Sequence, residues 1–391
     1  MIPCHRGSSP ASPLDNDKLL GEVLLRLPPL PSSLPRASAI CQGWRCLTTD
    51  AQFLRRFRAH HREEGPPVLG FFLRRHGKIV FRSSILDRPD RIPPKRFDLG
   101  PSSSNLDNFV LDCRYGRVLV HDYPRKKVIV CDPSTSEQHH LSIPVDFKRP
   151  HALINGAVLC ATVAHDHVHG SCDSSPFKVV LMSTYMHDIP PIACVYCSES
   201  GTWGNLISAT EPFDDFYAHI SVTLIDNVLY WVYMMNYILA FDLARQTLAV
   251  IKGPPGFNEP CCSHQIIKLG YGDVGLAVLS KARMQIWQRK ANHHGVATWL
   301  PWKTVDMHII LGISPLLKRN RQWLRGYDED TDAIYLYMHG SVYMVQLKSM
   351  QYKKLYECGY LTNYHPFKSF GVPGAIAGGC DGAEVLHDAL G

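Results

Sequence analysis

The chain has 391 residues, of which 45% are hydrophobic and 19% are charged, and its formal net charge is +6. This composition excludes an intrinsically disordered chain, and the length exceeds one ordinary compact core unless the fold is a barrel or a repeat array. Basic residues occur in short dispersed groups, which argues against a nucleic-acid groove. No apolar run reaches the ~18 residues of a membrane span. We therefore expect no nucleic-acid partner and no membrane.

The N-terminus and the cysteines bear on location. Residues 1–13, MIPCHRGSSPASP, contain no apolar segment typical of a signal peptide, and we expect them to be disordered. The 13 cysteines are odd in number and irregular in spacing, which does not indicate a disulfide framework. We expect free thiols in a reducing compartment, that is, the cytoplasm or the nucleus.

Residues 14–27, LDNDKLLGEVLLRL, predict a first helix. Acidic residues and Asn16 at its start favour capping. The pair Pro28-Pro29 ends it, because proline disfavours helical backbone before it and donates no hydrogen bond. One face of this helix carries apolar residues at i, i+3, i+4 and i+7, namely Leu20, Val23, Leu24 and Leu27.

A second helix is predicted to begin at Ser32 or Ser33, and a third covers AQFLRRFRAHH from residue 51. The apolar face of the second helix consists of Leu34, Ala37, Cys41 and Trp44, with Ile40 and Leu47 beside it. Three helices in about 45 residues are near the size at which a domain needs help to stay folded. Periodicity alone leaves two readings open: a cap on the following domain, or a surface that a partner covers.

The segment resembles an F-box, and especially the F-box of a large family of plant proteins. In that family a leucine helix is followed by Leu-Pro, then by L-x-x-x-S/L-x-V-C-x-x-W-R-x-L, then by D-x-x-F. The residues that match here are Leu27-Pro28, Leu34, Ser38, Ile40-Cys41, Trp44-Arg45, Leu47, Asp50 and Phe53. The family usually opens with Leu-Pro, whereas this chain has Leu14-Asp15. We assign the F-box to residues 14–62.

The resemblance implies a partner and a role. F-boxes dock on the Skp adaptor of a cullin-RING ubiquitin ligase, so the implied partners are a Skp adaptor and, through it, cullin. The role is positioning a target protein, with no catalytic residue, cofactor or metal. The residues expected to bind the adaptor are Leu20, Val23, Leu24, Leu27, Pro28, Leu34, Ala37, Ile40, Cys41 and Trp44.

From residue 66 onward, short β-strand patterns replace helical ones. A turn with Gly or Asn followed by strand formers recurs at 76–81, 115–120, 155–160, 226–231 and 339–344, and predicts hairpins. Gly77, Gly116 and Gly156 are about 40 residues apart, a spacing typical of propeller blades. A strand, an Asp, a polar turn and a second strand recur at 128–144 and 238–254.

We expect an α+β multidomain protein: a small three-helix F-box followed by an all-β propeller at residues 66–365 and a flexible tail at 366–391. The repeats are 67–100, 108–145, 150–210, 219–254, 264–306 and 322–360. They predict six blades, or seven if 150–210 contains two. An irregular pair of β-sandwiches is the alternative. Segments 195–203 and 286–302 resemble the kelch-like repeats that follow plant F-boxes.

Three motifs have an ordinary structural interpretation. GYGDVG (270–275) matches a dinucleotide fingerprint, but a strand pattern follows it instead of a helix, which favours a hairpin turn. CVYC (194–197) lacks a second cysteine pair, so we expect buried thiols. HDHVH (165–169) could place three imidazoles on one strand face, yet it runs into loop composition, and we expect an exposed loop.

Three functions are compatible with these observations. The first is a substrate receptor of a Skp–cullin–F-box ligase, with target-binding residues in blade loops that the sequence leaves unassigned. The second is a Skp-binding scaffold that ubiquitinates nothing. The third is a propeller enzyme or sugar-binding protein, which predicts a polar pocket, with or without a metal, at the central channel.

Overall fold

The computed structural model contains a helical unit followed by six β-sheets. It describes residues 16–83, 85–100, 107–149, 152–162, 172, 175–185, 189–211, 221–233, 237–256, 262–270, 272–291, 296–314, 322–357 and 363–370. The predicted disordered segment 1–13 and the HDHVH segment lie outside the described residues. None of the helices in the described part of the chain is long and apolar enough to cross a membrane.

The helical unit contains four helices where the sequence predicts three. They are α1 (Asp17–Leu25), α2 (Ser33–Ser38), α3 (Gln42–Thr49) and α4 (Ala51–His60). The second predicted helix is interrupted because Cys41 has extended backbone, with φ −159° and ψ 172°. Cys41 is therefore exposed at the break instead of lying on a continuous apolar stripe.

The helices pack around a small core of their own. Asn16 caps α1 by accepting a hydrogen bond from the Lys18 N–H at 3.0 Å, and Asp50 caps α4 by accepting one from the Phe53 N–H at 2.8 Å. The buried apolar residues of this core are Leu20, Leu24, Leu25, Ala37, Phe53 and Phe57. Leu27, Leu34, Trp44 and Leu47 are partly buried against it.

The strands form six sheets. The first contains β1 (Val68–Arg75), β2 (Lys78–Arg82) and the last strand, β24 (His365–Lys368). The second contains β3 (Asn108–Arg114), β4 (Arg117–Asp122), β5 (Lys127–Asp132) and β6 (Glu137–Ser142). The third contains β7 (Leu153–Cys160), β8 (Phe177–Thr184), β9 (Ile192–Cys197), β10 (Thr202–Trp203) and β11 (Ile207–Ser208).

The fourth contains β12 (Val222–Ile225), β13 (Val228–Val232), β14 (Tyr237–Asp242) and β15 (Thr247–Lys252). The fifth contains β16 (Ser263–Leu269), β17 (Asp273–Ser280), β18 (Arg283–Ala291) and β19 (Ala297–Asp306). The sixth contains β20 (Gln322–Asp328), β21 (Ala333–Met338), β22 (Ser341–Gln346) and β23 (Tyr352–Glu357).

The sheets are the blades of a six-bladed β-propeller. An apolar cluster lies between each pair of neighbouring sheets, and the sixth cluster joins the last sheet to the first, for example Phe71 to Tyr335. This closed series excludes the β-sandwich alternative. The described strands between residues 153 and 208 form one sheet, so the described part of the region that was the candidate for a seventh blade contributes one blade.

Burial changes from the middle of a blade to its outer edge. Strand β4, RVLVHD, is buried at every position because both of its faces pack against neighbouring blades. The outermost strands β6 and β23 carry mostly polar residues that face solvent. This gradient is why central strands are the clearest in the sequence and outer strands the weakest.

The ring is closed by the last strand. β24 pairs with β1 in antiparallel register, Val68 opposite Lys368 and Phe72 opposite His365. β24 is also in contact with β3, which places it innermost in the first blade. The predicted domain boundary at residue 365 is therefore wrong, because Pro366–Lys368 belong to the propeller instead of to a flexible tail. Residues 371–391 lie outside the described part.

The recurrent turn motif predicts four hairpins correctly and one wrongly. The turns at 76–77, 115–116, 226–227 and 339–340 each join two antiparallel strands. The motif at 155–160 lies inside β7, paired along its whole length with β8. Gly156 is needed there because a Cβ atom would approach the Val180 carbonyl oxygen to 2.8 Å.

The other predicted motifs have mixed outcomes. Segment 270–275 joins β16 to β17 as an antiparallel hairpin, as predicted, although Tyr271 is not among the described residues. In CVYC, Cys194 is buried, whereas Cys197 is partly exposed, so the prediction of two buried thiols is half right. A short helix, α5 (Met307–Leu311), lies between the fifth and sixth sheets.

Candidate functional site

The structure divides the predicted adaptor-binding residues by exposure. Leu20, Leu24 and Ala37 are buried in the core of the helical unit, and Leu27, Leu34 and Trp44 are partly buried against it. Val23, Pro28, Ile40 and Cys41 are exposed. The buried and partly buried residues hold the helices together, and the exposed residues are open to direct contact with a partner.

The helical unit exposes large apolar side chains. Leu19 is 51% exposed, Val23 is 48% exposed and Ile40 is 62% exposed. Leu19 and Val23 are four residues apart on α1, so they lie on one face of it. Leu19 was missed in the sequence because the stripe through Leu20 and Leu24, which turns inward, dominates the periodicity.

The helical unit is attached to the propeller by polar and apolar contacts. The Ser32 N–H donates a hydrogen bond to Asp90 Oδ1 at 2.9 Å. A small apolar cavity of about 80 Å³ lies at the junction, lined by Leu34 and Phe57 from the helices and by Leu69 and Phe370 from the propeller. The helical unit therefore packs on the propeller near the strand that closes the ring.

A second candidate site lies in the propeller itself. Residues of the innermost strands β3, β12, β16, β20 and β24 line a cavity of about 260 Å³, which we call the axial chamber. Most of its polar residues stand at the end of the ring where an innermost strand turns into its neighbour, such as Arg114 and Glu329. Innermost strands of a propeller surround its central channel, so the chamber lies on the axis.

Arg114 ties three blades together at the base of the chamber. Its guanidinium donates to Asp112 Oδ2 at 2.9 Å, to Glu329 Oε1 at 2.9 Å and to the Val222 carbonyl oxygen at 3.4 Å. Asp112 also accepts the N–H groups of Cys113 and Val158. Burial with this many partners makes Arg114 a fixed part of the chamber.

Lys368 forms a second ion network beside the first. Its ammonium group donates to Asp328 Oδ1 at 2.5 Å and also contacts Asp330. Asp328 Oδ1 is in turn the acceptor for the N–H of Asp330 at 3.1 Å, which shapes the turn after β20. Asp328 is buried and Asp330 is exposed, so the network runs from the interior of the chamber to its mouth.

Burial dominates the electrostatics of the chamber. It raises the pKa of Glu329 to about 7, with Asp330 adding to the effect and Arg114 and Lys368 opposing it. It also raises the pKa of Asp112, against the opposing effect of Arg114. Burial lowers the pKa of His365 to about 4, with Arg114 adding, so this imidazole is neutral at pH 7.

Of the three functions compatible with the sequence, only the propeller enzyme or sugar-binding protein predicts a polar pocket at the central channel, and none of the residues of the axial chamber was predicted. Its charged residues come from segments more than two hundred positions apart, since Arg114 meets Glu329 only when the ring closes. The signal available in the sequence is the acidic run DEDTD at 328–332 after a strand pattern. An acidic run alone is normally a solvated turn, and nothing in it points to the cations opposite.

Comparison with known proteins agrees with the propeller. The family model described as "F-box protein AT5G49610-like, beta-propeller" matches residues 109–370, more than half of the chain. The chain belongs to this family. The match begins after the helical unit, so it covers the propeller and not residues 14–62.

Two solved structures are similar in part. The extracellular domain of BT4673 from B. thetaiotaomicron matches with a TM-score of 0.32 and 11% identity, covering 64% of this chain and 28% of that one. The WD40 domain of SCAP from fission yeast matches with a TM-score of 0.35 and 15% identity, covering 67% and 56%. The chain thus spans about a quarter to somewhat over half of these structures. No curated protein matches it.

Proposed function

We infer that the chain is the substrate receptor of a Skp–cullin–F-box ubiquitin ligase. The helical unit binds the Skp adaptor, and the propeller binds a target protein. Membership in an F-box propeller family is the observation that carries this proposal. The role is non-catalytic, because a receptor of this kind accelerates ubiquitin transfer by raising the effective concentration of target lysines at the conjugating enzyme.

The helical unit supplies the features that adaptor binding requires. Its internal core holds the helices in place, and Leu19, Val23 and Ile40 remain exposed. Leu19 and Val23 lie on α1 and Ile40 lies in the turn between α2 and α3, and exposed aliphatic residues of this kind suit docking against the helices of a partner. We assign direct contact to the exposed residues Val23, Pro28, Ile40 and Cys41, and assign support of their geometry to the buried and half-buried predicted residues.

Adaptor binding is tested by charging the exposed apolar residues. The double variant Val23→Asp/Ile40→Asp places carboxylates at two exposed positions and leaves the helical core unchanged. We expect it to lose about thirtyfold or more in affinity for the Skp adaptor, measured by calorimetry or pull-down of the purified full chain. The matched control is Val145→Asp, because Val145 is 76% exposed on the propeller.

The same preparation separates a receptor from a scaffold. The full chain co-expressed with the adaptor is expected to retain cullin and, with a proteasome inhibitor, to enrich ubiquitinated proteins that the double variant does not enrich. Retention of cullin with no such enrichment supports the scaffold instead. Undiminished adaptor binding by the double variant, with the control also unchanged, refutes the assigned binding surface.

A further inference from the structure

The axial chamber carries an excess of negative charge. Five carboxylates and three cationic side chains line it. Arg114 is shared between Asp112 and Glu329, and Lys368 is shared between Asp328 and Asp330. Each of the two networks therefore has two carboxyl groups for one cation, and because the pKa of Glu329 is about 7, the uncompensated negative charge at pH 7 lies mainly in the network of Lys368, Asp328 and Asp330. The +6 net charge of the whole chain makes this excess a local property of the chamber.

The charge lies in a space that opens to solvent. Asp112, Arg114 and Asp328 are buried at the base, Glu329 is partly exposed, and Asp330 is exposed. An excess charge in such a graded site is only partly screened by water. A cationic group that enters from the mouth passes Asp330 and Glu329 before it reaches the base.

The base contains an unsatisfied acceptor. Oδ1 of Asp328 accepts the Lys368 ammonium and turn N–H groups, whereas its Oδ2 atom is buried and accepts no hydrogen bond from the described residues. A buried carboxylate oxygen without a donor is costly, and the usual remedy is a donor from a ligand or from water. Asp328 is itself 1% exposed and lines the chamber.

The walls of the chamber are suited to an amphipathic cation. Tyr115, Tyr327 and Tyr364 line it together with Val222 and Leu224. Aromatic and aliphatic walls accommodate the methylene stem of a lysine or an arginine, and aromatic faces attract its charge. Drug-sized ligands occupy pockets of about 300–1,000 Å³, so a chamber of about 260 Å³ fits one extended side chain better than a larger molecule.

We propose that the axial chamber binds the protonated side chain of a lysine or arginine presented by the target protein. The proposal rests on the proposed function and specifies its target class: a segment with a basic residue that inserts into the end of the channel. The chamber repels phosphates and other anions. Among the described residues, no group of three or more His, Cys, Asp or Glu side chains is arranged to hold a metal ion, which favours an organic cation.

The test uses small probes on the purified full chain. Nα-acetyl-arginine methylamide and Nα-acetyl-lysine methylamide are titrated and followed by ligand-observed NMR, with Nα-acetyl-citrulline methylamide as an uncharged analogue of the arginine probe. We expect dissociation constants on the order of 1 mM for the two cations and no saturable binding of citrulline. Asp330→Asn should weaken both cations about fivefold, because it removes one exposed carboxylate from the mouth.

The control variant is Glu199→Gln, which removes an exposed carboxylate on the turn between β9 and β10 and should leave both dissociation constants unchanged. Equal binding of arginine and citrulline, or cation binding that Asp330→Asn leaves unchanged, overturns the proposal. A Mg²⁺ ion that displaces the arginine probe at lower concentration than the probe itself binds overturns the choice of occupant. If the probes fail while the chain still binds the Skp adaptor, only the chamber proposal fails.

Discussion

Val68 and Lys368 lie opposite each other in neighbouring antiparallel strands, although three hundred residues separate them in the chain. Lys368 is at the same time an ion-pair partner of Asp328 and Asp330, in and just after the innermost strand of the sixth blade. A single short strand, β24, therefore closes the first sheet and connects it electrostatically to the last. Closure of this kind removes the open edges that a linear row of blades would present.

The first prediction concerns this strand. A chain that ends at residue 362 lacks β24, and we expect its propeller to lose cooperative thermal unfolding, because β1 becomes an edge strand and Asp328 loses Lys368. Phe367, fully buried between the first two blades, is lost with it. Circular dichroism and calorimetry measure the transition.

The control for the truncation ends at residue 370 and removes only residues 371–391. It should unfold within a few degrees of the full chain, since it keeps every residue of the closing strand. If the chain ending at 362 retains the melting temperature of the chain ending at 370, β24 is dispensable and the ring is held by the other five blades.

The second prediction is a pH dependence caused by Glu329. Its pKa is about 7 in the folded chain against 4.5 as its ordinary value, so the folded state holds the proton more tightly than the unfolded state. The stability that this group contributes is fully present below pH 4.5 and is lost as the pH rises through 7. Replacing Glu329 by Gln removes the titration and keeps the shape.

The measurement is urea unfolding of the wild type and Glu329→Gln at several pH values. Relative to the variant, the free energy of unfolding of the wild type should fall by roughly 1–3 kcal/mol between pH 5 and 8. Glu199→Gln, at an exposed turn, should show no such change across this interval. If the free energies of unfolding of the wild type and Glu329→Gln differ by the same amount at every pH, Arg114 compensates fully for the effect of burial on the pKa of Glu329.

Much of the fold could be predicted from the sequence, although one of the arguments for a propeller, the equal spacing of three glycines, is not valid. The six repeats agree with the six blades because strand and turn patterns recur once per blade. The spacing of Gly77, Gly116 and Gly156 is a coincidence: the first lies in a turn between β1 and β2, the second in a turn between β3 and β4, and the third inside β7. Equal spacing did not mean equivalent position.

The site was less predictable than the fold. Helical periodicity identifies an apolar stripe, but it does not say which side of the helix packs inward. The sequence therefore could not show that Leu20 and Leu24 are buried while Leu19 is exposed. The axial chamber depends on pairs such as Arg114 and Glu329, which local patterns cannot connect. The closing strand HPFK is only four residues long and contains a proline, so its pairing with β1 had no clear local signal.

The third prediction compares two arginine–aspartate pairs in the second blade. Arg114 is buried and pairs with Asp112 and Glu329, whereas Arg125 pairs with Asp122 and its side chain is 65% exposed. Arg114→Met leaves the buried Asp112 and the partly exposed Glu329 without their cation and should lower the free energy of unfolding by about 3–5 kcal/mol. Arg125→Met removes an exposed guanidinium, and the buried Asp122 keeps the residue 125 backbone N–H as a donor at 3.3 Å, so this variant should cost about 1 kcal/mol or less.

A double variant distinguishes the loss of charge pairing from the loss of packing. Asp112→Asn/Arg114→Met removes one of the carboxylates that Arg114→Met leaves without a cation and keeps the shape of residue 112, so it should recover part of the loss seen in Arg114→Met. Urea unfolding at pH 7 measures all variants, and circular dichroism verifies that each remains all-β in the propeller. If Arg114→Met costs no more than Arg125→Met, the carboxylates tolerate burial by taking up protons, and the network contributes little to stability. If the double variant is as unstable as the single one, Arg114 acts mainly through its packing and its contact with the Val222 carbonyl across the channel.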